Sequence, residues 1–447
     1  MRNKKNFSIL SITTQKPHST GSGTYLTELV KAFHNSGCSQ AVVAGVYHSD
    51  RVSFPEGTEF YPVYYTEPGK VPSGEDISFP VLGMSDIMPY PSTRYSELDE
   101  KMASELESRF IPVIQEAVSQ LDPDIILCHH LYLLTAMVRR AFPDRQVWGL
   151  SHGSDLRQIR NCSFRREWIK SAICDLNRIL VLQSAQRQVL LDYYGASEEK
   201  ITVVGSGYNP EIFNCQPSGE DCHMTKSPVP DPVRIIYAGK LSREKGLLPL
   251  LQCLNDLSED QDLPSLSLSL AGGCKDPLIA ERLGRNSCPS LKPGILQTEP
   301  YQINYLGVLS HQELAEAFRN SHIFVLPSYY EGIPLVLTEA MACGLVPVSS
   351  DLPGLRDWLD HSVPDHQVIF VKLPDMVSPG VPVSSQLCHY TSALAQGIRK
   401  AVMSVEKNYS LGYRPVPNTG RVTWQGVADR ILSLAHSSVT SETDEEN

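Results

Sequence analysis

The sequence has no apolar run of membrane-spanning length, so no spanning helix is expected. Its 11 cysteines contain no Cys-x-x-Cys pair and no metal-ligand spacing, which argues against zinc-finger and ribbon classes. Cys128, Cys253 and Cys343 stand inside apolar runs, and reduced, buried thiols in a cytoplasmic protein are expected. Basic residues are outnumbered. The 39 Lys and Arg against 50 Asp and Glu leave −11, so no nucleic-acid partner is expected, and an anionic ligand would need cations gathered locally. The apolar stretch 7–12 after Lys4-Lys5 is too short and polar for a signal peptide, because Thr13-Thr14-Gln15-Lys16 ends it, and it reads as a buried strand. No Asp-x-Asp follows a strand, where such a pair would hold a metal; Asp122-Pro123-Asp124 precedes one and reads as a turn. Thr20-Gly21-Ser22-Gly23-Thr24 lacks the third glycine of a dinucleotide fingerprint, since Leu26 stands there. The second strand also ends in Gly45-Val46-Tyr47 without an acid, so an NAD site is not expected.

What is present is a long alternation of apolar strands and amphipathic helices. In 447 residues it implies an α/β protein with two parallel-sheet domains. One set of strands is expected at 7–12, 40–46, 124–128, 147–150, 179–182 and 201–204. A second is expected at 233–238, 266–271, 303–306, 323–326, 346–349 and 368–371. The stretch 54–95, rich in Pro, Gly and Tyr, reads as an insertion or irregular loop; 276–302 and 374–387 read as surface excursions. The expected organisation is a first domain over 1–214 and a Pro-rich linker over 215–232. A second domain over 233–420, a last helix over 421–437 and a disordered acidic tail over 438–447 complete it.

The most informative segment runs from Pro327 through Ser328-Tyr329-Tyr330-Glu331-Gly332-Ile333-Pro334-Leu335-Val336-Leu337-Thr338-Glu339 to Gly344. It places two glutamates eight positions apart across a strand end, a turn and a helix start. Gly332 permits a tight turn, and Pro334 suits the first helical position. Leu335, Val336 and Leu337 then offer backbone N–H groups of the kind that receive anions. Glu331 sits at the mouth and Glu339 about one turn inside, and a carboxylate accepts from two adjacent hydroxyls, as in ribose or a sugar ring. A helix that happens to carry glutamates is the bland alternative. The segment resembles the Glu-x7-Glu signature of retaining GT-B glycosyltransferases, in particular glycosyltransferase family 4 (glycosyl transferases group 1). That resemblance implies the GT-B fold, with two Rossmann-like domains facing across a cleft. It also implies contact of Glu331 with a donor sugar and of Glu339 with the nucleotide ribose. Pro334 replaces the family's usual second glycine and removes one N–H donor.

Other segments carry the same resemblance. Gly239-Lys240-Leu241-Ser242-Arg243-Glu244-Lys245-Gly246 is similar to the family's Gly-Arg-Leu-x-x-x-Lys-Gly line, which implies that Lys240 and Lys245 neutralise a departing diphosphate. Read without it, this is a solvated loop before a helix. His152-Gly153-Ser154-Asp155 resembles the family's His-Gly-Thr-Asp line, which implies His152 beside the anomeric carbon. His129 and His130 match the end of an Asp-x-x-His-x-His-His line whose leading histidine is Leu127 here. The glycines Gly21 and Gly23 correspond to the family's first glycine-rich loop, which faces the donor. The match of 203–213 to a Pro-Asn-Gly-Val-Asp line is poor at Ser206, Tyr208 and Asn209, so no donor contact is expected there. The final helix is implied to pack back across the cleft.

The expected activity is therefore retaining, metal-independent transfer of a hexose-type sugar from a nucleotide-sugar to a glycan, lipid-linked or small-molecule acceptor, as in polysaccharide biosynthesis. The catalytic residues are His152, Glu331 and Lys245. Donor contacts are Gly21, Gly23, Lys240, Lys245, Glu331, Gly332, Leu335, Val336 and Glu339. No metal or other cofactor is expected, and UDP, GDP and ADP stay open. Candidates on the acceptor side are His129, His130, Asp155, Arg165 and Arg166. Arg157, Arg160, Arg165, Arg166 and Lys170 follow at helical spacing and would form one positive face, suited to an anionic acceptor or to peripheral contact with the inner face of a membrane. A solvated helix paired with Asp155, Glu167 and Asp175 is the alternative. Two rival functions are a catalytically silent GT-B binding module and a GT-B sugar-nucleotide epimerase. The presence of Glu331, Glu339, Lys245 and His152 together disfavours the silent module.

Overall fold

The computed structural model describes residues 6–445 apart from 86–87, 216–230, 286–287, 289–290, 298 and 379. It divides into two compact units, one of Met1–Gly207 with Trp424–Asn447 and one of Tyr208–Thr423. The expected linker 215–232 lies almost wholly outside the described residues. Each unit is built on a seven-stranded sheet.

In the first unit the strands are β1 (Ser8–Thr13), β2 (Ser39–Val46), β3 (Thr58–Tyr64), β4 (Ile125–His129), β5 (Val147–Leu150), β6 (Arg178–Val181) and β7 (Ile201–Val203). They lie in the order β3-β2-β1-β4-β5-β6-β7, all parallel. Strands covered by helices on both faces read as continuous apolar runs, and β1, β4 and β5 are buried along their full length. The stretch 54–95 is not simply irregular, because it supplies the edge strand β3. Pro62 sits inside that strand; an edge position tolerates it, and the strand is only partly buried. The chain order reverses beside β1, between β2 and β4, which opens a crevice at the carboxyl ends of β1 and β4.

In the second unit the strands are β8 (Val233–Ala238), β9 (Leu266–Ala271), β10 (Gly294–Gln297), β11 (Gln302–Gly307), β12 (Ile323–Leu326), β13 (Val346–Ser350) and β14 (Ile369–Val371). Their order is β10-β11-β9-β8-β12-β13-β14, parallel except for the antiparallel β10. Here the switch point lies between β8 and β12. β10 and a small hairpin, Met376–Ser378 with Val381–Pro382, occupy the two expected surface excursions. Leu250, Leu254, Ile398 and Val402, from the helices Leu247–Ser258 and Leu387–Leu411, are buried in one core with Ile235 and Val325 of the sheet. Full burial of each such side chain is worth about 1.5–3 kcal/mol.

The chain then re-enters the first unit. Its last helix runs Trp424–Glu445, past the limit of 437 expected for it, so 438–445 are helical where a disordered tail was anticipated. It packs on the helix Gly21–Asn35, with Gln425 Nε2 donating to Ser36 Oγ at 2.7 Å. Among the described residues nine cysteines are free and Cys215 is disulfide-bonded, a departure from the reduced thiols expected. It stands at the margin of the former linker and not within a strand.

Candidate functional site

The β8–β12 switch point carries a cavity of about 480 Å³. Lys240 and Lys245 come from the loop after β8, Glu331 from the loop after β12, and Leu335, Val336 and Glu339 from the following helix, Leu335–Ala342; all six line it. The two loops are held hard together. Gly246 has φ +67, and a Cβ there would lie 1.9 Å from the Pro327 carbonyl oxygen, so only glycine permits this approach. Tyr390 Oη donates to the same carbonyl at 2.9 Å. The result sets Lys245 Nζ 2.7 Å from Glu331 Oε2. Lys245 also donates to the Tyr330 carbonyl at 3.1 Å, and Ser328 Oγ donates to Glu331 Oε1 at 2.8 Å. Ser328 went unnoticed in the sequence because nothing in its spacing marks it; it is three residues before Glu331 and fully buried.

Three details differ from expectation. Pro334 caps the helix Leu335–Ala342 instead of opening it. Leu335 N–H donates to the Ile333 carbonyl and Leu337 N–H to the Pro334 carbonyl. Of the three anticipated donors, only Val336 N–H has no such bond among the described residues. Gly332 has no left-handed φ, a Cβ there would meet open space, and it is not part of the cavity lining. Arg243, between the two lysines in the chain, pairs with Asp276, with Nε 2.8 Å from Oδ2.

Glu339 stands at the inner end of the cavity, half-buried. Burial alone raises its carboxyl to about 7. Among the described residues no hydrogen bond or ion pair of its carboxylate offsets that cost. An under-satisfied carboxylate facing a cavity is a strong acceptor for ligand hydroxyls.

In the first unit the carboxyl ends of β4 and β5 bring His129, His130 and His152 together. His129 Nδ1 lies 3.1 Å from His152 Nε2, with the two rings 16° from coplanar and their centres 5.3 Å apart, and the His130 ring centre is 4.7 Å from that of His152. Burial lowers all three. His129 falls to about 3, with His130 adding to the effect, and His130 to about 4; His152 lies well below its ordinary value, with both neighbours adding. The cluster is neutral at pH 7. Tyr25 backs it, edge-on to His152 at 5.2 Å and to Trp424 at 4.9 Å, and donates its hydroxyl to the Gly205 carbonyl at 2.9 Å. No sequence pattern announced Tyr25; it reads as an ordinary core position of its helix.

Asp155 is fully buried and structural. Its Oδ1 accepts from Ser151 Oγ at 3.0 Å and His152 N–H at 3.2 Å, and its Oδ2 accepts from Leu131 N–H at 2.7 Å. It ties the ends of β4 and β5 together and leaves little for an acceptor. Gly23 lies in the first turn of the helix Gly21–Asn35, where a Cβ would come 2.7 Å from the Lys16 carbonyl oxygen, whereas Gly21 faces open space. The single positive helical face does not exist. The segment breaks into Ser154–Asn161 and Arg166–Cys174, and Arg165 sits between them with φ +48. Arg165 pairs with Glu100, Arg166 donates to the Cys162 and Arg160 carbonyls, and Arg160 and Lys170 lie over the Tyr193 ring. Among the described residues no three His, Cys, Asp or Glu side chains gather as a metal-ligand set, and no helix is long and apolar enough to cross a membrane.

Comparison with known proteins bears on the fold. The Glycosyltransferase Family 4 model matches residues 99–212 and the Glycosyl transferases group 1 model matches 223–375. Sucrose-phosphate synthase from Thermosynechococcus elongatus superposes with a TM-score of 0.57 at 14% identity, covering 98% of this chain and 100% of that one. Anabaena Alr3699/HepE in complex with UDP and glucose gives 0.55 at 13%, covering 97% and 100%. The fold is GT-B. The two family matches fall on successive parts of the chain, each on less than half of it. Among curated relatives, a D-inositol 3-phosphate glycosyltransferase of Corynebacterium jeikeium is 24% identical over 77% of this chain and 79% of its own length. One from Stackebrandtia nassauensis is 24% identical over 59% and 54%. The chain spans about half the length of the first curated relatives it matches. The GT-B matches do not favour the binding-module or epimerase alternatives.

Proposed function

We propose that this GT-B protein transfers a sugar from a nucleotide-sugar to an acceptor hydroxyl, with retention at the anomeric carbon and without a metal ion. The observation that carries the reading is the cavity at the β8–β12 switch point, where two lysines and two glutamates converge. Lys240 and Lys245 take the diphosphate, with Val336 N–H at the helix start. Glu339 accepts from the ribose diol and Glu331 from the transferred sugar. A bound diphosphate draws Lys245 from its contact with Glu331, which frees that carboxylate for sugar hydroxyls. As charge develops on the leaving diphosphate, the lysines stabilise it and so supply the chemistry otherwise given by a cation. His152 acts on the transferred sugar as a neutral hydrogen-bonding group, and the first unit takes the acceptor.

The test is a screen of UDP-, GDP- and ADP-sugars with purified protein in excess chelator, read by nucleoside diphosphate release and by calorimetry with the free diphosphates. Release from at least one donor with chelator present supports the reading. Absence of both release and diphosphate binding refutes it, and activity restored only by Mg²⁺ or Mn²⁺ refutes the metal-independent step.

A further inference from the structure

The contact between His129 and His152 holds more than proximity. Both rings are neutral, so one proton lies between His129 Nδ1 and His152 Nε2, and two arrangements satisfy the 3.1 Å separation. In one, His152 Nε2–H donates and His129 Nδ1 accepts. His129 must then carry its proton on Nε2. That atom is buried and has no hydrogen-bond partner among the described residues. In the other, His129 Nδ1–H donates, and the buried Nε2 is a bare lone pair. A buried N–H without an acceptor is the costlier of the two orphans. The enclosure already holds one such group, because both ring nitrogens of His130 are buried without partners and one of them carries a proton. A second orphan donor beside it is disfavoured by about an order of magnitude or more.

We infer that His129 donates from Nδ1 to Nε2 of His152, and so fixes His152 as the tautomer with its proton on Nδ1. His129 is thus a positioning residue. The Nδ1 atom of His152 is not among the buried nitrogens without a partner, and it is the one left to meet a ligand. It meets that ligand as a donor. His152 therefore presents an N–H to an oxygen of the ligand and does not take a proton from one. Its in-plane hydrogen bond to the nearly coplanar His129 ring and the edge-on Tyr25 ring hold the imidazole plane, so the donor direction is set as well as its identity.

The catalytic consequence rests on the proposed transferase reading; the tautomer itself does not. Long-range ¹H–¹⁵N spectra of ¹⁵N-histidine-labelled protein at pH 7 decide the tautomer, with the His152 signals identified by their loss in His152→Gln. The expected pattern is a protonated Nδ1 and bare Nε2 on His152, and the same on His129. A protonated Nε2 on His152 overturns the inference whether or not the protein transfers sugar. Two variants then test the positioning role. His129→Asn keeps an N–H donor where Nδ1 stood and should retain the His152 pattern and turnover within about threefold. His129→Leu should lose the tautomer preference and lower kcat about tenfold or more, with donor KM unchanged. Equal impairment of Asn and Leu, with both variants melting like the parent, would also overturn it. If no donor is turned over by any form, the functional reading fails while the spectra still stand.

Discussion

Replacing Glu339 by Gln should make the unliganded protein more stable and the nucleotide complex weaker. The carboxyl is raised from 4.5 to about 7 by burial. Each pKa unit corresponds to about 1.4 kcal/mol, so holding the charged form in place costs the fold about 3 kcal/mol once ionisation is complete. The sign follows from the direction. A raised carboxyl costs nothing below about pH 4.5, where both folded and unfolded states are protonated, and its full cost is reached only above 7. Glutamine keeps the shape and removes the charge. At pH 8 the second unit of Glu339→Gln should therefore melt about 5–10 °C above the parent, on the scale of 2–4 °C per kcal/mol for a unit of this size. The gap should close as the pH falls toward 4.5. In the same variant, nucleoside diphosphate affinity should fall by about 1.5–3 kcal/mol, the range for a hydrogen bond to a charged group. Calorimetric melting at pH 5 and 8 and isothermal titration at pH 8 measure both quantities. Identical melting at pH 8, or a gap that widens on acidification, would refute the argument that Glu339 is held at a cost for a ligand to recover.

Glu331→Gln should lower turnover strongly yet tighten bare nucleoside diphosphate binding about two- to fivefold, because Lys245 loses a competing partner worth up to about 1 kcal/mol. A weakened diphosphate affinity in titration would contradict that. His152→Ala should cut transfer with donor-nucleotide affinity nearly unchanged; a normal transfer rate would leave His152 with a structural role only. Gly246→Ala should destabilise the second unit by about 2–4 kcal/mol, since the new methyl meets the Pro327 carbonyl in a left-handed conformation. Melting at the parent's temperature would show that the β8 and β12 loops are not locked there.

The strands that build both sheets were legible because burial on two faces leaves a continuous apolar run. That Glu331, Glu339 and the lysines share one cavity follows from their places at strand ends and a helix start, although the lysines stood out from a solvated loop only through the family resemblance. The edge strands β3 and β10 were not legible: β10 is largely exposed, and in β3 Pro62 argues against a strand unless the strand is known to be an edge, which is a property of the assembled sheet. The supposed arginine face failed for a local reason: helical spacing continues in the letters across Cys162–Arg165, but Arg165 turns left-handed and the helix restarts. Asp155 looked like a site acid because it follows His152; only the neighbouring ends of β4 and β5 show that its oxygens are spent on three internal donors. The pairing of His129 with His152 joins two strand ends 23 residues apart and has no signature in either segment alone.

The discontinuity of the first unit has a consequence for biosynthesis. Its final helix begins at Trp424, after the whole of Tyr208–Thr423 has been made. The two ends of the second unit meet, since Tyr208 N–H bonds to the Val422 carbonyl at 3.0 Å and Tyr208 Oη to Thr419 Oγ1 at 2.6 Å. Every residue lining the cavity of the second unit, from Tyr237 to Glu339, is therefore made before Trp424, which stands behind Tyr25 in the histidine cluster. A chain cut short before Trp424 would carry all the residues of that cavity and lack the ring that packs edge-on to Tyr25. The histidine cluster of the first unit is thus completed only by a segment that follows the whole of the second unit in the chain.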